Sequence, residues 1–397
     1  MRYFVYGAIA RAISSVIKTK KKHWVFGSNM GHTYGDGSSA IMEYVSKNDS
    51  SIRCSWITQS KEVFKECKKN AIRCYMNTSV RGMIEIAKAD VVFTTHSARD
   101  ICFSYHKKNR LHVYLGHGPS AKASRCAATL GYYYDLYGIG WRKFSFKDWL
   151  GHYLIDGFWE EETDLHFYTS DFVIEQAKSC LPSSVKNVVL GSPRADIMFN
   201  EKKKTVPYFD PYKGKLKVVY MPTHRMFGKG SLSPMLFSKD IAKIEWLREH
   251  NVVILVKQHP TMLTYDVYDK NQGTLHNDVV IDITKCGLDP LIVMGNADVL
   301  ISDYSSAWLE FMVLRRPVAH YIYDDFALKD QGIFEDMYKY PGINMFNNEN
   351  DLFTFVQKCA KDYDNMRPKD ETMDLFHKYK DGNSAQRVYN YIIKQYE

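Results

Sequence analysis

In the segment Asp298–Glu310 an apolar run leads into Asp303-Tyr304-Ser305-Ser306 and then into an amphipathic helical pattern. Ser305 and Ser306 stand at the predicted helix start. Their hydroxyls and the first unsatisfied backbone N–H groups point outward with the positive end of the helix dipole, which suits a phosphate. Such a terminus contributes about 0.3–2 kcal/mol toward an anion, so charged donors must assist it. The plain alternative is that Ser305 only caps the helix, and Asp303 is expected to brace the turn. Two further loops carry donors. Met221-Pro222-Thr223-His224-Arg225 offers a guanidinium able to fork two N–H bonds onto a phosphate, and Lys257-Gln258-His259-Pro260 places cationic and donor side chains after the next strand. Together Arg225, His259 and the serine pair suit a pyrophosphate. With neither G-x-G-x-x-G nor G-x-x-x-x-G-K-[ST] present, a dinucleotide or P-loop site is disfavoured.

Proton chemistry points to an earlier loop. In Gly116-His117-Gly118-Pro119 the flanking glycines let backbone approach a ligand and leave the imidazole exposed, which makes His117 the best general-base candidate. The alternative is a glycine turn with an incidental histidine. Gly191-Ser192-Pro193-Arg194 offers a second anion contact at a strand end. The polar, flexible loop from Gly27-Ser28 to Gly37-Ser38 contains Asp36, which is placed to orient a base or an acceptor hydroxyl.

The elements that must position these loops are alternating strands and helices. Trp24–Phe26, Ser55–Ile57, Val91–Thr94, His112–Leu115, His166–Thr169 and Val188–Leu190 read as one strand series. Lys217–Met221, Val252–Val256, Val279–Ile281, Val299–Ser302 and Val318–Ile322 read as a second. The polar stretch Asn200–Gly214 separates them. We therefore expect an α/β protein of GT-B architecture, two Rossmann-like domains facing across a cleft, with ligands beyond the carboxyl ends of the strands. The domains are expected at residues 1–205, for the acceptor, and 206–380, for the donor, with 381–397 a C-terminal helix crossing back to the first. Arg125–Trp159, rich in aromatics, reads as an insertion over the first sheet's edge, either part of an acceptor site or a satellite hydrophobic cluster.

A length of 397 residues suits two such domains. The net charge of +8 is spread along the chain, which disfavours nucleic acid and favours small anions or acidic lipid. The eight cysteines show no C-x-x-C pair and read as reduced thiols of a cytoplasmic chain. No apolar run reaches the roughly 18–20 residues of a spanning helix. Val5, Ile9, Ile13, Val16 and Ile17 nevertheless recur at helical spacing before Lys18, Lys20, Lys21 and Lys22, a pattern that lets a helix lie on an anionic membrane surface or pack on its own domain.

In order along the chain, Trp24-Val25-Phe26-Gly27-Ser28 with Tyr34 and Asp36, Gly116-His117-Gly118, Gly191-Ser192-Pro193-Arg194, Pro222-Thr223-His224-Arg225, Lys257-Gln258-His259-Pro260, Ser302-Asp303-Tyr304-Ser305-Ser306 and Asp381-Gly382-Asn383-Ser384-Ala385 resemble the CDP-glycerol glycerophosphotransferase family, which builds teichoic acids and some capsules. The resemblance implies a GT-B transferase, peripheral at the cytoplasmic face of the cell membrane. It would move glycerol phosphate, or a related polyol phosphate, from CDP-glycerol or another CDP-polyol onto a lipid-linked saccharide or polyol-phosphate acceptor. No cofactor is expected, and no metal, because the Asp and Glu residues form no obvious cluster. It implies that His117, aided by Asp36, is catalytic. Arg225, His259, Ser305, Ser306 and Thr223 would hold the donor phosphates, supported by Gly116, Gly118, Arg194, Asp303 and Lys257. Gly116, Pro119 and His224 depart from the residues usual at those places. Two rival readings are a GT-B glycosyltransferase using a CMP-sugar and a non-catalytic subunit that binds nucleotide or lipid carrier.

Overall fold

The computed structural model describes residues 2–96, 98–101, 110–118, 163–177, 185–201, 205–223, 236–259, 277–323 and 335–396. Arg225, His224, Pro119 and the segment Arg125–Trp159 lie outside these.

The first sheet contains β1 (Lys20–Phe26), β2 (Arg53–Thr58), β3 (Cys74–Met76), β4 (Ala89–Thr94), β5 (Leu111–Tyr114), β6 (Leu165–Tyr168) and β7 (Lys186–Val189) in the order β3-β2-β1-β4-β5-β6-β7. The second contains β8 (Leu216–Met221), β9 (Val252–Val256), β10 (Val280–Asp282), β11 (Val299–Ser302), β12 (Val318–Tyr321) and β13 (Asn344–Phe346), ordered β10-β9-β8-β11-β12-β13. The registered pairs are parallel throughout. Parallel strands are covered by helices on both faces, and so β9 reads Val-Val-Ile-Leu-Val with every residue buried.

In each sheet the strand order reverses once, between β1 and β4 and again between β8 and β11. Crevices at such switch points are where ligands bind in open parallel sheets. The loops leaving β1, β4, β8 and β11 therefore occupy the two binding positions of the fold, with those after β5 and β9 beside them.

Two strands escape the sequence pattern. β3 and β13 are three-residue strands at sheet edges, too short to show alternation. The loop expected from Gly27 to Ser38 is more ordered than its polarity suggests. Asn29–Gly31 forms a 3-10 turn, and a helix already begins at Asp36 and runs to Asn48. The helix after Ser306 spans Ala307–Met312 with each of its residues buried, so it is a core helix and not an amphipathic one.

The N-terminal helix Arg2–Val16 packs Tyr6, Ala10 and Ile13 against Met83 and Ile86, leaving Ile9 and Val16 exposed. Lys20–Lys22 do not simply trail it. They open β1, drawn there because Asp90 on β4 accepts the backbone N–H of Lys22 at 2.7 Å and of His23 at 3.0 Å.

After the second sheet the chain returns to the first. The helix Ser384–Ile393 buries Ala385, Val388 and Ile392 in one core with Trp24, Phe26, Ile41, Val45 and Trp56. Asp196 accepts the N–H of Ser384 at 3.1 Å and of Ala385 at 2.7 Å, satisfying donors that the helix start leaves over. Beyond the helix, Tyr396 accepts from Trp24 Nε1 at 2.8 Å and donates to Asp90 at 2.7 Å. Removing the Ile392 side chain should therefore open a cavity in the first sheet's core. We expect Ile392→Ala to lower unfolding free energy by roughly 2–5 kcal/mol in urea titrations; a loss under about 0.5 kcal/mol would mean the returning helix does not stabilise that core.

Candidate functional site

The first sheet contributes a pair of stacked imidazoles. His96 follows β4 and His117 follows β5, and their rings lie 4.4 Å apart at an interplanar angle of 16°. The turn carrying His96 is held from below by Asp100, which is fully buried and accepts the N–H groups of Met30 at 2.7 Å, Thr95 at 2.6 Å and His96 at 2.8 Å. Burial raises the Asp100 carboxyl, and these hydrogen bonds pull it back. One carboxylate thus ties the loop after β1 to the loop after β4. His96 Nδ1 also meets Thr95 Oγ1 at 2.9 Å.

Both imidazoles sit below the ordinary histidine range. For His96 loss of bulk water dominates, with Arg194 adding to it and Asp36 opposing. For His117 the same loss acts first, then repulsion from His96, while Asp36 opposes. His117 as a residue is nevertheless exposed. A neutral imidazole with an open edge, at neutral pH, is the form a general base requires.

Asp36 and Arg194 adjoin the pair. Arg194 Nη1 lies 2.9 Å from Asp36 Oδ2, and its Nε lies 2.7 Å from Glu310 Oε1 on the second sheet's helix. Arg194, read from sequence as an anion contact, thus already meets two carboxylates of the protein itself. Burial opposes its charge, but Asp36, Glu310 and Asp289 overcome that and hold its pKa above the usual arginine value. Glu310 is 2% exposed, and burial pushes its carboxyl up to about 7 against the pull of Arg194.

The second sheet contributes the serine turn. Asp303, fully buried at the end of β11, accepts the Thr223 N–H at 2.9 Å, the Thr223 hydroxyl at 2.6 Å and the Ser305 N–H at 3.2 Å. It ties the loop after β8 to the loop after β11, as Asp100 does in the first sheet. Ser305 Oγ accepts from Ala307 N at 3.3 Å, and Ser306 occupies the capping position without a side-chain cap bond. Gly118 brings the two halves together. A Cβ placed on it would lie 2.9 Å from Ser306 Oγ and 3.8 Å from the Glu310 carboxyl carbon, and its φ of +142° is one that side chains rarely adopt.

His117, Asp36, Arg194, Gly118, Ser306 and Glu310 therefore form one neighbourhood across the two sheets, with Thr223, Asp303 and Ser305 adjoining it. His259 is exposed at the carboxyl end of β9, beside β8. Lys257 is directed elsewhere: it is buried, with Nζ 3.8 Å from Cys286 Sγ. The sequence reading missed His96, Asp100 and Glu310. Thr94-Thr95-His96 at the end of a predicted strand was a usable signal for the first, whereas Asp100 and Glu310 carry none. Among the described residues no group of three or more His, Cys, Asp or Glu is arranged to hold a metal ion.

Two Rossmann-like halves joined through such a crevice define a GT-B protein. The chain belongs to the CDP-glycerol:poly(glycerophosphate) glycerophosphotransferase family, whose model matches residues 9–394. Among curated relatives, it is 28% identical over 250 residues to a teichoic acid ribitol-phosphate polymerase of Staphylococcus aureus, covering 59% of this chain and 44% of that one. It is 27% identical over 205 residues to the teichoic acid glycerol-phosphate primase of Bacillus subtilis, covering 51% and 50%. The chain thus spans about half the length, or less, of the curated relatives it matches. The solved structure of the wall teichoic acid polymerase TagF superposes with a TM-score of 0.70 at 18% identity, over 98% of this chain and 92% of that one. A UDP-GlcNAc 2-epimerase from Neisseria meningitidis gives 0.53 at 13% identity, over 95% and 100%, the same fold again.

Deleting the Asp303 carboxylate leaves the Thr223 and Ser305 amides without it. We expect Asp303→Ala to cost on the order of 1.5–3 kcal/mol, read as a lower thermal midpoint; an unchanged midpoint would show that the turn does not depend on this acceptor.

Proposed function

We propose that the chain transfers glycerol phosphate, or a related polyol phosphate, from a CDP-linked donor to a hydroxyl of a lipid-linked or polymeric acceptor, releasing CMP, in teichoic acid or capsule polymer synthesis. The observation that carries this reading is the family match over residues 9–394 together with the meeting of the His117 turn and the Ser306 turn. The relatives are named for both ribitol and glycerol phosphate, and TagF crystals were soaked with CDPG, which supports a CDP-polyol as the donor class.

In this mechanism the acceptor hydroxyl gives its proton to His117 as its oxygen bonds to the β-phosphorus of the donor. The bond from that phosphorus to the bridging oxygen breaks, and CMP leaves with the electron pair. Loss of bulk water first, and then the His96 ring stacked on it, keep the base neutral. Ser305 and Ser306, with Thr223, Arg225 and His259, receive the developing phosphate charge, supported by Gly116, Gly118 and the turn built on Asp303. The acceptor, being lipid-linked, requires work at a membrane. Exposed Ile9, Val16 and Lys18 at the N-terminus suit a peripheral position at its cytoplasmic face.

The test is CMP release from CDP-glycerol, CDP-ribitol and CMP-sugars with a panel of lipid-linked acceptors. Release from a CDP-polyol supports the proposal, and release from a CMP-sugar alone overturns it. His117→Ala should lower kcat by on the order of 10²–10⁴ while donor binding by calorimetry persists; unaltered turnover would remove His117 from the chemistry.

The pH dependence follows from the sign of the shift. A base whose folded pKa is depressed stays neutral, hence active, further into acid. The acid limb of the kcat/KM profile should therefore lie below the ordinary histidine value of 6.5, and a limb at or above it would contradict the assigned environment.

A further inference from the structure

The ion cluster of Asp36, Arg194 and Glu310 joins the two halves of the molecule and lies beside the reacting groups. Asp36 opens the helix after the loop from β1, Arg194 follows β7, and Glu310 lies on the helix after β11. Arg194 is 2.9 Å from the first carboxylate and 2.7 Å from the second. The side chains of Asp36 and Glu310 are 7% and 2% exposed and that of Arg194 19%, so solvent screens the pairs little. The backbone there is equally close. A Cβ on Gly37 would lie 3.5 Å from the Arg194 N atom and 3.4 Å from Leu115, the residue leading into Gly116-His117-Gly118. Across the crevice, a Cβ on Gly35 would lie 3.6 Å from Asp289 of the second half.

We propose that Glu310 is a positioning residue for transfer, which by gripping Arg194 locks Asp36 and the His117 turn at a set distance from the serine turn. Three features argue for this over a simple structural ion pair. The pair crosses between the sheets, whereas Asp100 and Asp303 each act within one. Its far end lies where Gly118 meets Ser306, so relaxing it moves the base relative to the phosphate side. The cluster sets two carboxylates against one guanidinium, with Asp289 near, so Asp36 and Glu310 are held in place by the same side chain. A guanidinium can serve two carboxylates at fixed angles, and an ammonium cannot.

The proposal draws on the transfer reading for its turnover arm only. Glu310→Gln, Glu310→Asp and Arg194→Lys would be made in the full chain and studied by hydrogen exchange and by steady-state CMP release. In Glu310→Gln and Arg194→Lys the amides of 116–118 and 305–307 should exchange faster while β1 and β9 keep their protection. Turnover should fall on the order of 10- to 100-fold, with the donor KM within about twofold, and Glu310→Asp should recover part of it. Unchanged exchange at both turns overturns the clamp, whatever the activity. A donor KM raised about tenfold or more with kcat intact also overturns it, because Glu310 would then be a donor contact. If the wild-type chain releases no CMP from any CDP-polyol, the transfer reading falls and the exchange measurements alone decide the clamp.

Discussion

A guanidinium held between carboxylates of different sheets is the constraint on which the site's geometry depends. Taking ions out of water costs several kcal/mol apiece, and a buried cluster is tolerated only when each charge faces an opposite one. Here Asp36 and Arg194 face each other within the first half, but Glu310 meets its opposite charge across the crevice. Asp36, Glu310 and Asp289 together offset the burial of Arg194, and Arg194 in turn opposes the effect of burial on Glu310. Electrostatic satisfaction therefore coincides with apposition of the two sheets. Any state that separates them leaves a charge in a low-dielectric surface without its partner.

Within each half the loops are organised by the same device. A buried aspartate accepts backbone N–H groups from two neighbouring strand ends: Asp100 for Met30, Thr95 and His96, and Asp303 for Thr223 and Ser305. Each lies at its sheet's switch point, where adjacent strands carry their helices to opposite faces and their loops diverge. Divergence opens the crevice, and the aspartate keeps its walls from drifting. The returning helix adds a covalent limit, since Ala385, Val388 and Ile392 anchor in the first core the chain that has just left the second.

Much of this was legible in the sequence, for stated physical reasons. β9 and β11 are buried along their length and β8 over Val218–Tyr220, so their apolar composition announces them. His117 and the serine pair stand out because glycines and paired hydroxyls at strand ends are rarely needed for packing. What the sequence concealed depends on pairing through space. His96 resembles any histidine in a turn until it stacks on His117. Arg194 looked like a ligand for an external anion because nothing local says that two carboxylates, 158 positions earlier and 116 later, already face it. Glu310 lies in an otherwise apolar helix, where its charge gave no hint of a partner on the other sheet.

The cluster also bears on the imidazoles beside it. Among the described residues, Asp36, Glu310 and Asp289 gather around Arg194. On the proposed reading the donor phosphates take the side of the serine turn and the loops after β8 and β9, and the acceptor takes the side of His96 and His117. Asp36 lies close enough to oppose the depression of both histidines, so it keeps the imidazoles able to take a proton although burial alone would make them poor bases. On the proposed reading, the carboxylate that pairs with Arg194 thus also tunes the base, and this ties the cluster to the proton transfer.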